Sequence, residues 1–168
     1  MNSTSPSNIQ NLNIKVKSAG FLIHSQGKYL LCHATCMNGS FSRTDGHWGI
    51  PKGIVEDGDS LIETAYRETL EETGLNIRLM ESKDQVRVYS DLLFRYRTTK
   101  KVVYAYYVNS NVDLTGTKLK CVSRITGTDS PENDAFCWVE WQVARDMVSK
   151  RQKELFSDEN FNKLVDVK

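Results

Sequence analysis

Gly53-Ile54-Val55-Glu56-Asp57-Gly58-Asp59-Ser60-Leu61-Ile62-Glu63-Thr64-Ala65-Tyr66-Arg67-Glu68-Thr69-Leu70-Glu71-Glu72-Thr73-Gly74-Leu75 is the stretch on which the reading of this chain turns. Ser60 and Glu63 have the S-x-x-E spacing of a capping box, and Gly74 stands where a left-handed C-cap residue is wanted, so residues 60–73 are read as a helix. At 100° per residue, Leu61, Ile62, Ala65, Tyr66, Thr69, Leu70 and Thr73 cover one side, which is expected to face the core. Glu68, Glu71 and Glu72 project beside it within about 100° of arc. From Asp59 to Glu72 five acids face one base, Arg67. Like charges at i, i+3 and i+4 repel, each pair costing a few tenths of a kcal/mol. A divalent cation with hard oxygen ligands removes that cost, and Arg67, four residues before Glu71, can pair with it. The other reading of the same pattern is a solvated acidic face.

Working outward, Lys15–His24 and Lys28–His33 read as strands joined by a tight turn at Ser25-Gln26-Gly27. Residues 37–47 read as a loop, and Trp48-Gly49-Ile50-Pro51-Lys52-Gly53 gathers an aromatic, a proline and two glycines before the helix. Residues 76–80, 85–97 and 101–109 read as strands, with a short one around 121–126 and a last one at 135–139. Helices are expected at 141–150 and 154–165. The class is α/β, a mixed sheet covered by helices. Residues 1–13, rich in Ser and Asn, are read as a flexible arm and residues 14–168 as the domain. With 22 Lys plus Arg against 21 Asp plus Glu, the chain is no basic nucleic-acid coat, so charge-driven binding must be local. No apolar run approaches the ~18 residues that cross a bilayer, so no membrane partner is expected. The first 13 residues lack the basic and apolar regions of a secretory signal, so Cys32, Cys36, Cys121 and Cys137 are expected reduced in a cytoplasmic chain.

The spacing Gly53-x5-Asp59-x7-Arg67-Glu68-Thr69-Leu70-Glu71-Glu72-Thr73-Gly74-Leu75 resembles the Nudix box, G-x5-E-x7-R-E-U-x-E-E-x-G-U with U a bulky aliphatic residue. The resemblance implies an α/β/α Nudix sandwich and a metal-dependent hydrolase of nucleoside diphosphates linked to a further group. By position it implies Mg²⁺, with Mn²⁺ able to substitute, held by Glu68, Glu71, Glu72 and the carbonyl of Gly53, with Arg67 in support. The proton acceptor varies within the family, and Glu68 and Glu132 are the candidates; a surface-loop acid is the other reading of Glu132. Two positions depart from the box. Asp59 is one methylene short of its glutamate, and a helix N-terminal role suits it. Thr69 stands at an aliphatic position on the core side, where it costs packing.

The loop at 48–53, Pro131-Glu132 and Phe136-Cys137-Trp138-Val139 look like the branch that cleaves dinucleoside polyphosphates or trims RNA 5′-triphosphates. From Lys83 to Lys101 six bases outweigh two acids, a counterweight for phosphates that the acidic helix would repel. Lys52, Arg95, Tyr104 and Tyr106 are the expected substrate contacts, against the reading of strand aromatics as core and strand bases as edge guards. Tyr89 and Tyr96 straddle the place of the tyrosine that dinucleoside polyphosphate hydrolases carry after the box. The signatures of the NADH-, ADP-ribose- and coenzyme A-cleaving branches are absent. The expected activity is a Mg²⁺-dependent pyrophosphohydrolase acting on a nucleoside polyphosphate such as Ap4A. RNA 5′-pyrophosphohydrolase, (d)NTP pyrophosphatase and a catalytically silent nucleotide or RNA sensor are the alternatives.

Overall fold

The computed structural model describes residues 15–36 and 45–167; the arm expected at 1–13 and most of the loop expected at 37–47 lie outside the described residues. In chain order come β1 (Val16–Ser25), β2 (Lys28–Ala34), β3 (Trp48–Gly49), β4 (Lys52–Ile54), α1 (Leu61–Thr73), α2 (Ile77–Ser82), β5 (Val86–Arg97), β6 (Lys101–Ser110), β7 (Asn133–Val139), α3 (Trp141–Met147), a 3-10 turn (Gln152–Glu154) and α4 (Asp158–Asp166). The sheet runs β3-β2-β1-β6-β5, with β4 also on β1 and β7 also on β2. Its mixed character comes from β1 and β6, which run parallel from Val16↔Lys101 to His24↔Asn109. Helices cover both faces. Phe21, Ile23, Tyr106 and Val108 pack beneath α1 and α2, and Leu22, Leu31, Tyr107, Trp141, Phe156 and Leu164 form the other layer. This is the α/β/α sandwich expected. Among the described residues no helix is long and apolar enough to cross a membrane.

What positions the site is a fork in the sheet. β1 and β2 pair only beside their turn, at His24↔Tyr29 and Ser25↔Lys28. Beyond that point they diverge, and the chain from Trp48 to Ile54 fills the gap. β3 lies against β2 at Cys32↔Gly49 and His33↔Trp48, and β4 lies against β1 at Ala19↔Gly53 and Gly20↔Lys52. Gly20 permits this: a Cβ there would overlap the Pro51 carbonyl oxygen and crowd Lys52. The buried Gln152 fixes the crossing from the far side, accepting from the Ile50 N–H at 2.7 Å and donating to the Tyr96 hydroxyl at 2.9 Å.

The caps of α1 form as the sequence predicts. Ser60 Oγ accepts from the Glu63 N–H, and Gly74, at φ 80°, donates to Leu70 O. Elsewhere the structure corrects the reading. Leu70 is exposed, and the buried side of α1 is Thr64, Ala65, Glu68, Thr69, Glu72 and Thr73. Residues 76–80, expected as a strand, enter α2, because Asn76 Oδ1 caps the Leu79 N–H at 3.0 Å. No strand forms at 121–126 beyond a single bridge, Arg124↔Pro131. That segment instead serves α1: the N–H groups of Lys120, Val122 and Ser123 donate to Thr73 O and Glu71 O, satisfying carbonyls that a helix end leaves unpaired. The last helix starts late, at Asp158, where Ser157 caps it.

Two substitutions should act in opposite directions. Gly20→Ala should destabilise by about 3 kcal/mol, since the Cβ meets backbone that cannot yield. Thr69 is fully buried and its hydroxyl has no partner among the described residues, so Thr69→Val should stabilise by about 1 kcal/mol. Urea unfolding midpoints at constant m-value check both.

Candidate active site

The acid cluster is not a solvated face. Glu68 and Glu72 are only 8% and 9% exposed. Helix α1 carries both towards the loop in the fork, where the Lys52 N–H donates to Glu72 Oε2 at 2.8 Å. Gly53 lies directly under the Glu68 carboxyl, where a Cβ would overlap its carbon and both oxygens. Only a residue without a side chain allows this approach.

Arg67 organises the other side of the cluster. Its Nη1 donates to Glu68 Oε1 at 2.8 Å and lies 3.6 Å from Glu71 Oε2, while its Nη2 lies 3.6 Å from Asp59 Oδ2. Nη2 also donates to the Ile54 carbonyl at 3.3 Å, tying the helix to the end of β4. The pairing of Arg67 with Glu71 read from the sequence is present as one of several. Asp59 joins it as an ion-pair partner at the foot of the helix, a contact the helix N-terminal role expected for it did not include.

Glu132, on the turn before β7, is half-buried. It lies close enough that its charge helps raise the pKa of both Glu68 and Glu72. Burial is the larger cause at each. It pushes Glu72 up to about 7, with the Lys52 ammonium and N–H opposing. At Glu68 the push is resisted by Arg67. Among the described residues no hydrogen bond engages the Glu132 carboxylate. Nor do three His, Cys, Asp or Glu side chains close on one point at ligand distance; Arg67 and the Lys52 N–H hold the carboxylates in their present positions. The donor set nonetheless suits a hard divalent cation, being all oxygen, anionic and gathered around a glycine cradle.

A cavity of about 410 Å³ opens beside Glu72. Lys52, Lys100, Lys101, Trp48, Tyr96 and Asn133 are among its lining residues. Of the expected substrate contacts, Lys52 is there and three others are not. Tyr106 is buried edge-on against Phe21, with ring centroids 6.4 Å apart. Tyr104 packs into the layer under α1, and Arg95, its partner across the strands, is exposed. Tyr104 and Tyr106 stand two apart on the β6 face that packs under α1, and Arg95 is turned from the cavity by a bulge in β5. Register shifts between Tyr89↔Tyr107 and Leu93↔Tyr106, an odd step that exchanges the faces of β5. Tyr89 and Tyr96 thus share one face, and Arg95 turns away from the cavity. The basic run does reach the site, through Lys100 and Lys101 in the β5–β6 turn. Asn133 and Gln152 carried no sequence signal of their own.

The raised Glu72 pKa has a direction in stability. Between the ordinary value of 4.5 and about 7 the folded protein holds a proton that the unfolded chain has released. Unfolding free energy therefore falls as pH rises through that window and levels off above it. Metal-free protein should lose on the order of 2 kcal/mol from pH 4.5 to 8 relative to Glu72→Gln, which has no proton to lose there. Urea unfolding of both proteins across that range measures it.

Comparison with known proteins bears on the same residues. The sequence model of the NUDIX domain matches residues 15–158. The 17.7 kDa protein of the e-segB intergenic region of Enterobacteria phage T4 is 30% identical over 142 residues, covering 80% of this chain and 90% of the phage protein. An RNA pyrophosphohydrolase of Wolbachia sp. subsp. Drosophila simulans (strain wRi) is 39% identical over 49 residues, 29% of this chain and 30% of that protein. Among solved structures, the Ap4A hydrolase of C. elegans in a binary complex superposes with a TM-score of 0.64 at 21% identity, covering 91% of this chain and 99% of that one. With the matched region running from β1 through the glycine cradle, the acidic helix and β7, this chain belongs to the NUDIX domain family, as a Nudix hydrolase.

Proposed function

We propose that the chain is a Mg²⁺-dependent pyrophosphohydrolase that cleaves a phosphoanhydride bond of a nucleoside polyphosphate, with a dinucleoside polyphosphate such as Ap4A as the preferred substrate. The observation that carries this reading is the 410 Å³ cavity lined by the buried Glu72 together with Lys52, Lys100 and Lys101. A carboxylate cluster alone repels a polyphosphate. Three lysines lining the same cavity counter that repulsion, and the volume falls in the range of small-molecule sites, roughly 300–1,000 Å³. Trp48 and Tyr96 add ring surface for a base. The fold is shared with the C. elegans Ap4A hydrolase, whose named substrate is a dinucleoside polyphosphate.

Glu68, Glu71, Glu72 and the Gly53 carbonyl would hold the cation, which when bound neutralises charge on phosphoryl oxygens and lowers the pKa of its water. The chain's own groups do the rest. Lys52, Lys100 and Lys101 bind the phosphate chain. Arg67 keeps the Glu68 carboxylate in one rotamer and screens it from Glu71. Glu132 accepts the proton of the attacking water at a carboxylate oxygen: it is near Glu68 and Glu72, half-buried, and without a hydrogen bond that must first be broken. Glu68, already engaged by Arg67, is the weaker candidate.

A second reading, RNA 5′-pyrophosphohydrolase, is favoured by the 49-residue match to the Wolbachia enzyme and by Arg87, Arg95 and Arg97, exposed along β5. Salt separates the two, because several phosphate contacts make RNA cleavage fall steeply with ionic strength.

A panel of Ap4A, NTPs, NADH, ADP-ribose and 5′-triphosphate RNA, assayed with Mg²⁺ and with EDTA, should show turnover of Ap4A that EDTA abolishes. Glu72→Gln should lower kcat at least ~100-fold while the protein stays folded. Turnover indifferent to EDTA, or wild-type kcat in Glu72→Gln, would overturn the metal assignment. No turnover of any substrate would leave the nucleotide-sensor reading.

A further inference from the structure

His33 is fully buried near the end of β2, between two carboxylates. Its Nδ1 is 2.5 Å from Asp134 Oδ1 and its Nε2 is 2.7 Å from Asp45 Oδ2. A neutral imidazole can donate from only one nitrogen, whereas both distances here require a donor. Two ionised carboxylates at those distances call for the doubly protonated ring, the imidazolium. Burial alone would lower its pKa, and the hydrogen bonds and charges of Asp45 and Asp134 more than offset that. The arrangement serves none of the steps given above.

Its neighbours show what it holds. Asp134 follows Glu132 by two residues, and Asp45 precedes His47 and Trp48, which wall the cavity. Asp45 Oδ1 also accepts from the His47 N–H at 2.9 Å. The backbone beside His33 grips the same two segments. The Ala34 N–H donates to His47 O and the Thr35 N–H to Glu132 O, both at 2.9 Å. Thr35 Oγ1 donates to Pro131 O at 2.6 Å. Three consecutive residues thus bind the turn that carries Glu132 on one side and the cavity wall on the other. Backbone bonds fix the distances of these segments, and the paired charges fix their angles.

We propose that His33 is a positioning residue, whose imidazolium, by bridging Asp134 and Asp45, sets the Glu132 carboxylate against the reacting centre and the His47–Trp48 wall against the substrate. The inference rests on the role given to Glu132 above. It assigns the two carboxylates different kinetic signatures: Asp134 works through the proton acceptor, hence on kcat, and Asp45 through the wall, hence on KM. A misplacement of about 1 Å is enough to cost up to ~100-fold.

The test uses the full chain with Ap4A and Mg²⁺. Asp134→Asn should lower kcat about 10–100-fold with KM little changed, and Asp45→Asn should raise KM about tenfold with kcat little changed. In a Glu132→Gln background the Asp134→Asn loss should vanish, because there is no acceptor left to misplace. Wild-type kcat and KM per folded molecule in both variants, with lowered thermal midpoints, would overturn the proposal and leave a structural role. Full additivity of Asp134→Asn with Glu132→Gln would overturn it too. Amide exchange tests the clamp apart from turnover: in His33→Gln, protection at Ala34 and Thr35 should drop at least tenfold, and unchanged protection would overturn the clamp. If Glu132→Gln alone leaves kcat untouched while that protection is lost, the failure lies with the proton-acceptor assignment and not with the clamp.

Discussion

The structure depends on a contact between like-charged side chains and bare backbone. Two carboxylates one helical turn apart, Glu68 and Glu72, are carried by α1 out of water and set on the chain at Lys52 and Gly53. Burying an ionised carboxylate is expensive unless it is paired. Here the compensation is local and polar: one main-chain N–H, the Lys52 charge and the Arg67 guanidinium. The helix can sit this close only because β4 presents a glycine to it, and β4 can present that glycine only because the sheet forks. Gly20 on β1 makes room for Pro51, Gln152 ties Ile50 to Tyr96, and the fork follows from both.

This explains why the layer of the fold farthest from the acids still matters to them. Gln152 belongs to the 3-10 turn after α3, on the face opposite α1, yet it holds the crossing that leads into the cradle. The segment at 120–123 caps the other end of the same helix by taking up the carbonyls of Glu71 and Thr73. The site is thus clamped at both ends of α1 by chain far away in sequence. A rigid mount of this kind suits a reaction whose reactants are highly charged, because fixed dipoles and charges need not reorganise as charge moves.

What the sequence revealed was what local chemistry decides. Ser60, Glu63 and Gly74 mark the ends of α1 through side-chain and backbone bonds within one turn, and the spacing of Glu68, Glu71 and Glu72 follows from the helix itself. Runs of β-prone residues likewise marked β1, β2, β5 and β6. The errors arose where a distant partner or a single cap overrides the pattern. Asn76 converts an apolar run that reads as strand into α2. One bulge in β5 exchanges its two faces, so Arg95 turns from the cavity while Tyr96 lines it; no count of alternating residues reveals an odd step in register. Leu70 reads as core because its helix position is apolar, but Glu68 and Glu72 take the buried place beside the loop. Gln152 and His33 look like ordinary polar residues until the fold brings their partners to them, 102 residues away at Ile50 and 101 at Asp134.

The charge distribution gives these placements a common logic. Along α1 and the turn before β7 the groups are mostly acidic, and the lysines that line the same cavity lie on β4 and at the β5–β6 turn. Neither set would be stable buried alone, and neither alone would hold a polyphosphate: the acids repel it, and lysines with no acidic counterpart would bind any anion. Set across a few hundred cubic ångströms, they create a field that changes sign within the length of a phosphate chain. A ligand that is anionic along its length and carries a cation at one point fits that field better than a plain anion or a plain cation does. The position of Lys52 beside Glu72 is set by the fork in the sheet, which brings β4 under α1.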